Sequence, residues 1–229
     1  TPDWFFKENF SDDGDWVDKD TMITRMENYI KNVFAALEEE YPTVDFYAWD
    51  VVNEAWLDNG SPRTGGGQSE NANYSGWVKV FGDNSFIEPA FEYARKYAPK
   101  NTKLYYNDFN EYMPQKTDAI CKMALELKEK GLIDGIGMQG HYNIYGPSME
   151  DVDAALTKYS TIVKHIHITE LDIRANEEMG GHLNFSREAG DISQTVKLLQ
   201  EDQYTRLFKI LRKHKDVVDN VTFWNLSDR

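Results

Sequence analysis

The chain has 229 residues, 41% of them hydrophobic, which is enough material for one large core, and a formal net charge of -14. That charge argues against a nucleic-acid or anionic-membrane surface, which would draw on clustered Lys and Arg; a neutral polymer remains compatible. The sequence has no run of about 18 apolar residues, so no membrane-spanning helix is expected.

In chain order, short β-rich runs alternate with longer amphipathic helices, the pattern of an α/β fold with a parallel sheet and helical crossovers. A first helix is predicted over about Asp20 to Glu40, with Ile23, Met26, Ile30, Val33 and Leu37 on one face and Pro42 beyond its end. A strand from Asp45 to Asn53 follows. A loop rich in Gly and Asn then runs from Asp58 to Tyr74 and leads to a helix near Phe86 to Tyr97. Lys103 to Asn107 is the next strand. Pro114 suits the first turn of a helix through about Lys130 that Gly131 ends.

A strand from Gly135 to His141 precedes a helix opened by Ser148, with Asp151 three positions on as in a capping box. Lys164 to Leu171 is the fourth strand. A polar loop around Gly180 and Gly181, a helix over about Ser193 to Lys213 and a last strand from Asn220 to Asn225 complete the chain. The count is five strands in one domain. Phe34, Phe91 and Phe208 sit at helical spacing with Leu37, Ala94 and Leu211 and are expected in the core. Cys121 is the sole cysteine, so no intrachain disulfide can form; it lies in an apolar helical stripe and is expected to be inert.

Two of the short apolar runs end in a glutamate: Trp49-Asp50-Val51-Val52-Asn53-Glu54 and His167-Ile168-Thr169-Glu170-Leu171-Asp172. An ionised group at the end of a buried strand needs partners or a task, and two opposed carboxylates are the apparatus of glycosidic cleavage. Side chains two apart share a strand face. Glu170 and Asp172 therefore point together, as do Gln139 and His141, and Trp49, Val51 and Asn53. Glu54 breaks the parity, so the chain is expected to turn out of its strand there. Each glutamate also has a plainer use, Glu54 as a cap and Glu170 as a partner of Arg174. His141 has no Cys or His at ligand spacing, so no metal site is expected. Beside Glu170, a ring nitrogen of His141 could donate to the carboxylate while Asp172 fixes the tautomer.

The run Tyr47-Ala48-Trp49-Asp50-Val51-Val52-Asn53-Glu54-Ala55 resembles the acid/base motif of glycoside hydrolase family ten, the endo-β-1,4-xylanases, and His167 to Asp172 resembles its nucleophile motif. Tyr106 to Asn110 and Gly137 to His141 resemble the strand ends between them, and Thr222 to Asn225 the final strand. The resemblance implies a (β/α)8 TIM barrel and retaining endo-hydrolysis of xylan without a cofactor, with Glu54 as acid/base and Glu170 as nucleophile. It further implies that His141, Asp172 and Gln139 orient the nucleophile. Asn53, Asn107, Phe109 and Trp224 would bind sugar: Asn53 at a 2-hydroxyl, Phe109 on the aglycone side where the family often has Tyr, and Trp224 as a platform.

For a retaining mechanism the two carboxyl groups should stand about 5 to 5.5 Å apart, with Glu54 protonated at the outset. The barrel is expected to be incomplete, with about five of eight strands and without the first three strands and the last helix. A β-1,4-glucanase of a related barrel family and a carbohydrate-binding remnant without turnover are the competing readings. A polymeric substrate implies a secreted or cell-surface location.

Overall fold

The computed structural model describes residues 1–67, 71–175 and 193–225; the predicted loop at Gly180 and Gly181 lies outside them. After two short 3-10 turns, helix α1 (Lys19–Glu40) opens on Asp18, whose carboxylate accepts from the Thr21 N–H at 2.8 Å. Strand β1 (Ala48–Asn53) follows, then α2 (Gly76–Phe81) and α3 (Ile87–Tyr97). Next come β2 (Lys103–Asp108), α4 (Pro114–Glu129), β3 (Gly135–Met138) and β4 (His141–Asn143). The chain continues through α5 (Met149–Ser160), β5 (His165–Arg174), α6 (Gln194–Lys213) and β6 (Val218–Phe223). Ser148 caps α5 as predicted, accepting from the Asp151 N–H at 3.1 Å. Helix α2 has no counterpart among the predicted elements: six residues between a Ser75 cap and a left-handed Gly82 are too few to show a period.

All strand pairs are parallel: β1 with β2, β2 with β3, β3 and then β4 with β5, and β5 with β6. The predicted strand Gly135 to His141 is broken in two. Gly140 at φ 77° separates β3 from β4, which resumes pairing along β5 one residue out of step, so six described strands fill the five predicted positions. The sheet curls enough that Tyr47, just before β1, receives the Asn220 amide of β6 at 3.4 Å. This is a parallel sheet with helical crossovers, as the strand and helix order predicts, curled into the partial barrel that the family resemblance implies.

A continuous apolar cluster joins the sheet to its helices, with Leu104, Ile136, Ile166 and Ile168 fully buried from the strands and Phe91, Ile120 and Leu156 from the helices. Removing the side-chain bulk of any of these would cost about 2 to 5 kcal/mol. Phe34 and Phe91 are in the core as predicted, but Phe208 stays 36% exposed. Helix α6 buries Gln203, Leu207 and Leu211, a stripe at four-residue spacing, and Phe208 lies one residue, about 100°, off it. Burial holds the half-buried Cys121 thiol up at about 11, in keeping with an inert cysteine. Among the described residues no helix is long and apolar enough to cross a membrane.

Candidate active site

The carboxyl ends of β1, β2 and β3 and the second half of β5 converge on one cluster that holds most of the predicted site residues. Glu54 follows β1 directly and has φ 57°, so the chain turns out of the strand there as expected. The predicted common face of Trp49 and Asn53 is not found. A bulge between Asp50 and Val52 slips the register of β1 against β2, so the Trp49 ring packs 5.0 Å from Phe34 while Asn53 turns to Asn107 and Gln139.

Glu170 has one partner for each carboxylate oxygen. Oε1 accepts from Asn107 Nδ2 at 3.1 Å, and Oε2 lies 3.2 Å from His141 Nε2. The other ring nitrogen, Nδ1, is 3.1 Å from Asp172 Oδ1, so Glu170 and Asp172 share a face as predicted and hold the imidazole between them. The plainer pairing with Arg174 goes to Asp172 instead, at 3.9 Å. With a carboxylate at each nitrogen the ring donates twice only as an imidazolium. Asp172 and Glu170 together favour the doubly protonated ring over either neutral tautomer. Burial alone would lower the pKa of His141, but its bonds to Asp172 and Glu170 and their charges outweigh this, and the net shift is upward.

Glu54 Oε1 accepts from Gln139 Nε2 at 2.9 Å, and Oε2 lies 3.4 Å from Arg63 Nη2. The expected support of Glu170 by the Gln139 side chain is not found. Its amide serves Glu54 and Asn53, and only its backbone carbonyl meets Glu170, accepting the N–H at 2.9 Å. Asn107 is likewise reassigned from sugar contact to support. It is 3% exposed, its Oδ1 accepts from Thr169 at 2.7 Å, and its Nδ2 donates to both Glu170 and Asn53.

Three amides thus connect the two glutamates: Gln139 bonds Glu54, Asn107 bonds Glu170, and both donate to Asn53 Oδ1, at 3.2 and 3.0 Å. With its oxygen doubly used, Asn53 has Nδ2 left over, and that group has no partner among the described residues. Trp224 is 55% exposed and edge-on to the His141 ring at 5.7 Å. Phe109 is half-buried, with one ring face covered by Lys116 Nζ at 4.0 Å.

Arg63 was not singled out in the sequence. It also donates through Nε to the Glu54 carbonyl and through Nη1 to the Ala72 carbonyl. It comes from the Gly-rich loop, where no periodicity marks a residue as facing the site. No group of three or more metal-ligating side chains is present among the described residues.

The model of Glycosyl hydrolase family 10 matches residues 1–229. The bifunctional endo-1,4-beta-xylanase XylA of Ruminococcus flavefaciens is 43% identical over 228 residues, covering 100% of this chain and 21% of that protein. The endo-1,4-beta-xylanase/feruloyl esterase of Xylanibacter ruminicola is 47% identical over 233 residues, covering 99% of this chain and 31% of its own length. The chain therefore spans about a fifth to a third of these curated relatives. Among solved structures, an endo-1,4-beta-D-xylanase of Clostridium thermocellum complexed with xylohexaose superposes with a TM-score of 0.84 at 40% identity, covering 98% of this chain and 43% of the other.

Proposed function

Since this chain belongs to glycosyl hydrolase family 10, we propose that it supplies the catalytic carboxylates for retaining endo-hydrolysis of β-1,4-xylosidic linkages in xylan. The observation that carries this reading is the pair of glutamates on β5 and just beyond β1, with unlike surroundings and joined through Gln139, Asn53 and Asn107. Glu170 is 16% exposed and held by an amide and an imidazolium, which suits a group that must stay ionised to attack the anomeric carbon. Glu54, at 36% exposed, is open enough to meet the glycosidic oxygen and later a water.

In the first step Glu170 forms the glycosyl-enzyme bond as Glu54 gives its proton to the departing oxygen; in the second, ionised Glu54 takes a proton from water as that water releases the sugar. Asn53 Nδ2, which has no partner among the described residues, is placed to donate to a hydroxyl of the reacting sugar. The exposed Trp224 ring would stack on the sugar to one side of the cleavage point, and Phe109 would serve the other. The relatives named as xylanases, and the xylohexaose complex of one solved neighbour, favour xylan over a β-1,4-glucan. Such a polymer is met outside the cell, so the reading goes with a secreted or surface location.

The test is turnover of xylan and of a soluble cellulosic polymer by the full-length protein, with the anomer of the first product followed by proton NMR. Xylan should be preferred, the first product should be the β-anomer, and Glu170→Ala should abolish hydrolysis. Preference for the glucan, an α-anomer, or activity surviving Glu170→Ala would each overturn the assignment.

A further inference from the structure

We propose that Tyr106, backed by the buried pair Asp108 and Lys116, is a positioning residue for Glu54 that acts through the backbone of Ala55; this rests on the acid/base role given to Glu54 above. At φ 57° Glu54 holds a left-handed conformation that costs a non-glycine residue about 1 to 2 kcal/mol. It persists only where the surroundings fix it.

Both peptide groups that flank its Cα are gripped. The Glu54 N–H donates to the Asn107 carbonyl at 2.9 Å, which fixes the first. The second is held at both ends, its carbonyl by Arg63 Nε and its Ala55 N–H by the Tyr106 hydroxyl at 2.9 Å. Fixing both planes fixes the direction in which the Cα–Cβ bond of Glu54 leaves the chain.

A phenol can accept from Ala55 in a defined orientation only if its own proton is committed elsewhere. Tyr106 donates to Asp108 Oδ2. Asp108 Oδ1 accepts from the Phe109 N–H at 2.9 Å and from Lys116 Nζ at 2.8 Å. All three side chains are fully buried. A buried ion pair is often no more stabilising than apolar residues of equal volume. What Asp108 and Lys116 do that apolar residues could not is orient the Tyr106 hydroxyl toward Ala55. The same Lys116 covers a face of Phe109, so the clamp also ties the acid/base turn to an aromatic ring proposed to hold substrate.

The experiment compares Tyr106→Phe with the parent, in the full-length protein, on aryl β-xylobiosides whose phenol leaving groups differ in acidity. A misdirected general acid matters most where the leaving group needs a proton. Tyr106→Phe should lose about 10-fold to 100-fold in kcat/KM with a poor leaving group and change less than about 3-fold with a highly acidic one. With the acidic leaving group, kcat should fall because base-assisted release becomes slow, and azide, which needs no base, should restore it. Losses equal across leaving groups would mean a merely structural role and overturn the proposal, as would no loss at all.

Asp108→Asn guards against a folding defect in the first variant. It replaces an acceptor with an N–H facing the phenol, so the hydroxyl must turn, and the same dependence on leaving group is expected. Glu54→Ala is the reference. If it shows no such dependence, the acid/base assignment fails; if it does and both clamp variants do not, the clamp alone fails.

Discussion

Asn107 and Gly137 face each other across neighbouring strands so closely that a Cβ on Gly137 would lie 2.4 Å from Asn107 Oδ1. The same methyl would meet Thr169 Cγ2, the side chain whose hydroxyl holds Asn107, at 3.1 Å. Gly137 is thus required by the amide that supports Glu170, not by a turn. Gly137→Ala should push the Asn107 amide off Glu170, lowering kcat on xylan by at least about 10-fold with a stability loss of about 1 to 3 kcal/mol. Kinetics together with thermal melts check this. Full activity in a variant that melts lower would separate the packing from the site.

His141 yields a dependence on pH whose sign follows from its raised folded-state pKa. Its contribution to stability is complete below the ordinary imidazole value of about 6.5 and is lost as pH rises through the higher folded value. Above that, one ring nitrogen turns a lone pair toward a carboxylate. His141→Gln, which has no such titration, should therefore be destabilised relative to the parent near pH 6, and the gap should narrow as pH rises toward 9. Melting temperatures of both proteins across this range decide the matter. A constant gap would show that the ring is not held as an imidazolium.

How much of this could be read beforehand depended on whether a feature was local. The alternation of strands and helices, the Pro114 and Ser148 starts and the turn at Glu54 follow from neighbouring residues and appear where the sequence puts them, whereas the strand that carries Glu170 runs on to Arg174. The bulge that turns Asn53 away from the Trp49 face depends on pairing with β2, so counting by twos failed across it. Gln139 meets Glu54 and Asn107 meets Glu170, rather than Gln139 meeting Glu170, for a related reason. Which glutamate an amide meets is set by the stagger between strands, which residue types alone do not reveal.

Glu111 provides a second titration, which likewise removes stability as pH rises. It is fully buried, with Oε1 accepting from the Tyr142 hydroxyl at 2.8 Å and Oε2 without a partner among the described residues. Burial is the main cause that pushes its carboxyl up to about 7, and the Asp108 charge adds to it against the donors that oppose it. Since the folded value lies above the unfolded one, the proton favours the fold below about pH 4.5, and that stability is lost as pH rises toward 7. The amount is about 3 kcal/mol. Glu111→Gln keeps the acceptor for Tyr142 and never ionises. It should melt close to the parent at pH 4.5 and above it at pH 8; a difference independent of pH would mean that Glu111 does not titrate in this range.

Arg63 separates charge from geometry at Glu54. One guanidinium spans three oxygens, the Glu54 carbonyl, the Glu54 carboxylate and the Ala72 carbonyl, and its side chain is only 12% exposed. A lysine would carry the same charge but cannot reach all three with a planar fork. If Arg63 serves mainly to hold the left-handed turn, Arg63→Lys should lose nearly as much kcat/KM on xylan as Arg63→Met, about 10-fold or more in each case, because both release the Glu54 carbonyl. If its charge against the carboxylate is what matters, Arg63→Lys should keep most of the activity that Arg63→Met loses. Measuring kcat/KM for both variants decides between the two. The geometric outcome is expected, since Arg63 lies 3.4 Å from the carboxylate but bonds the Glu54 carbonyl directly.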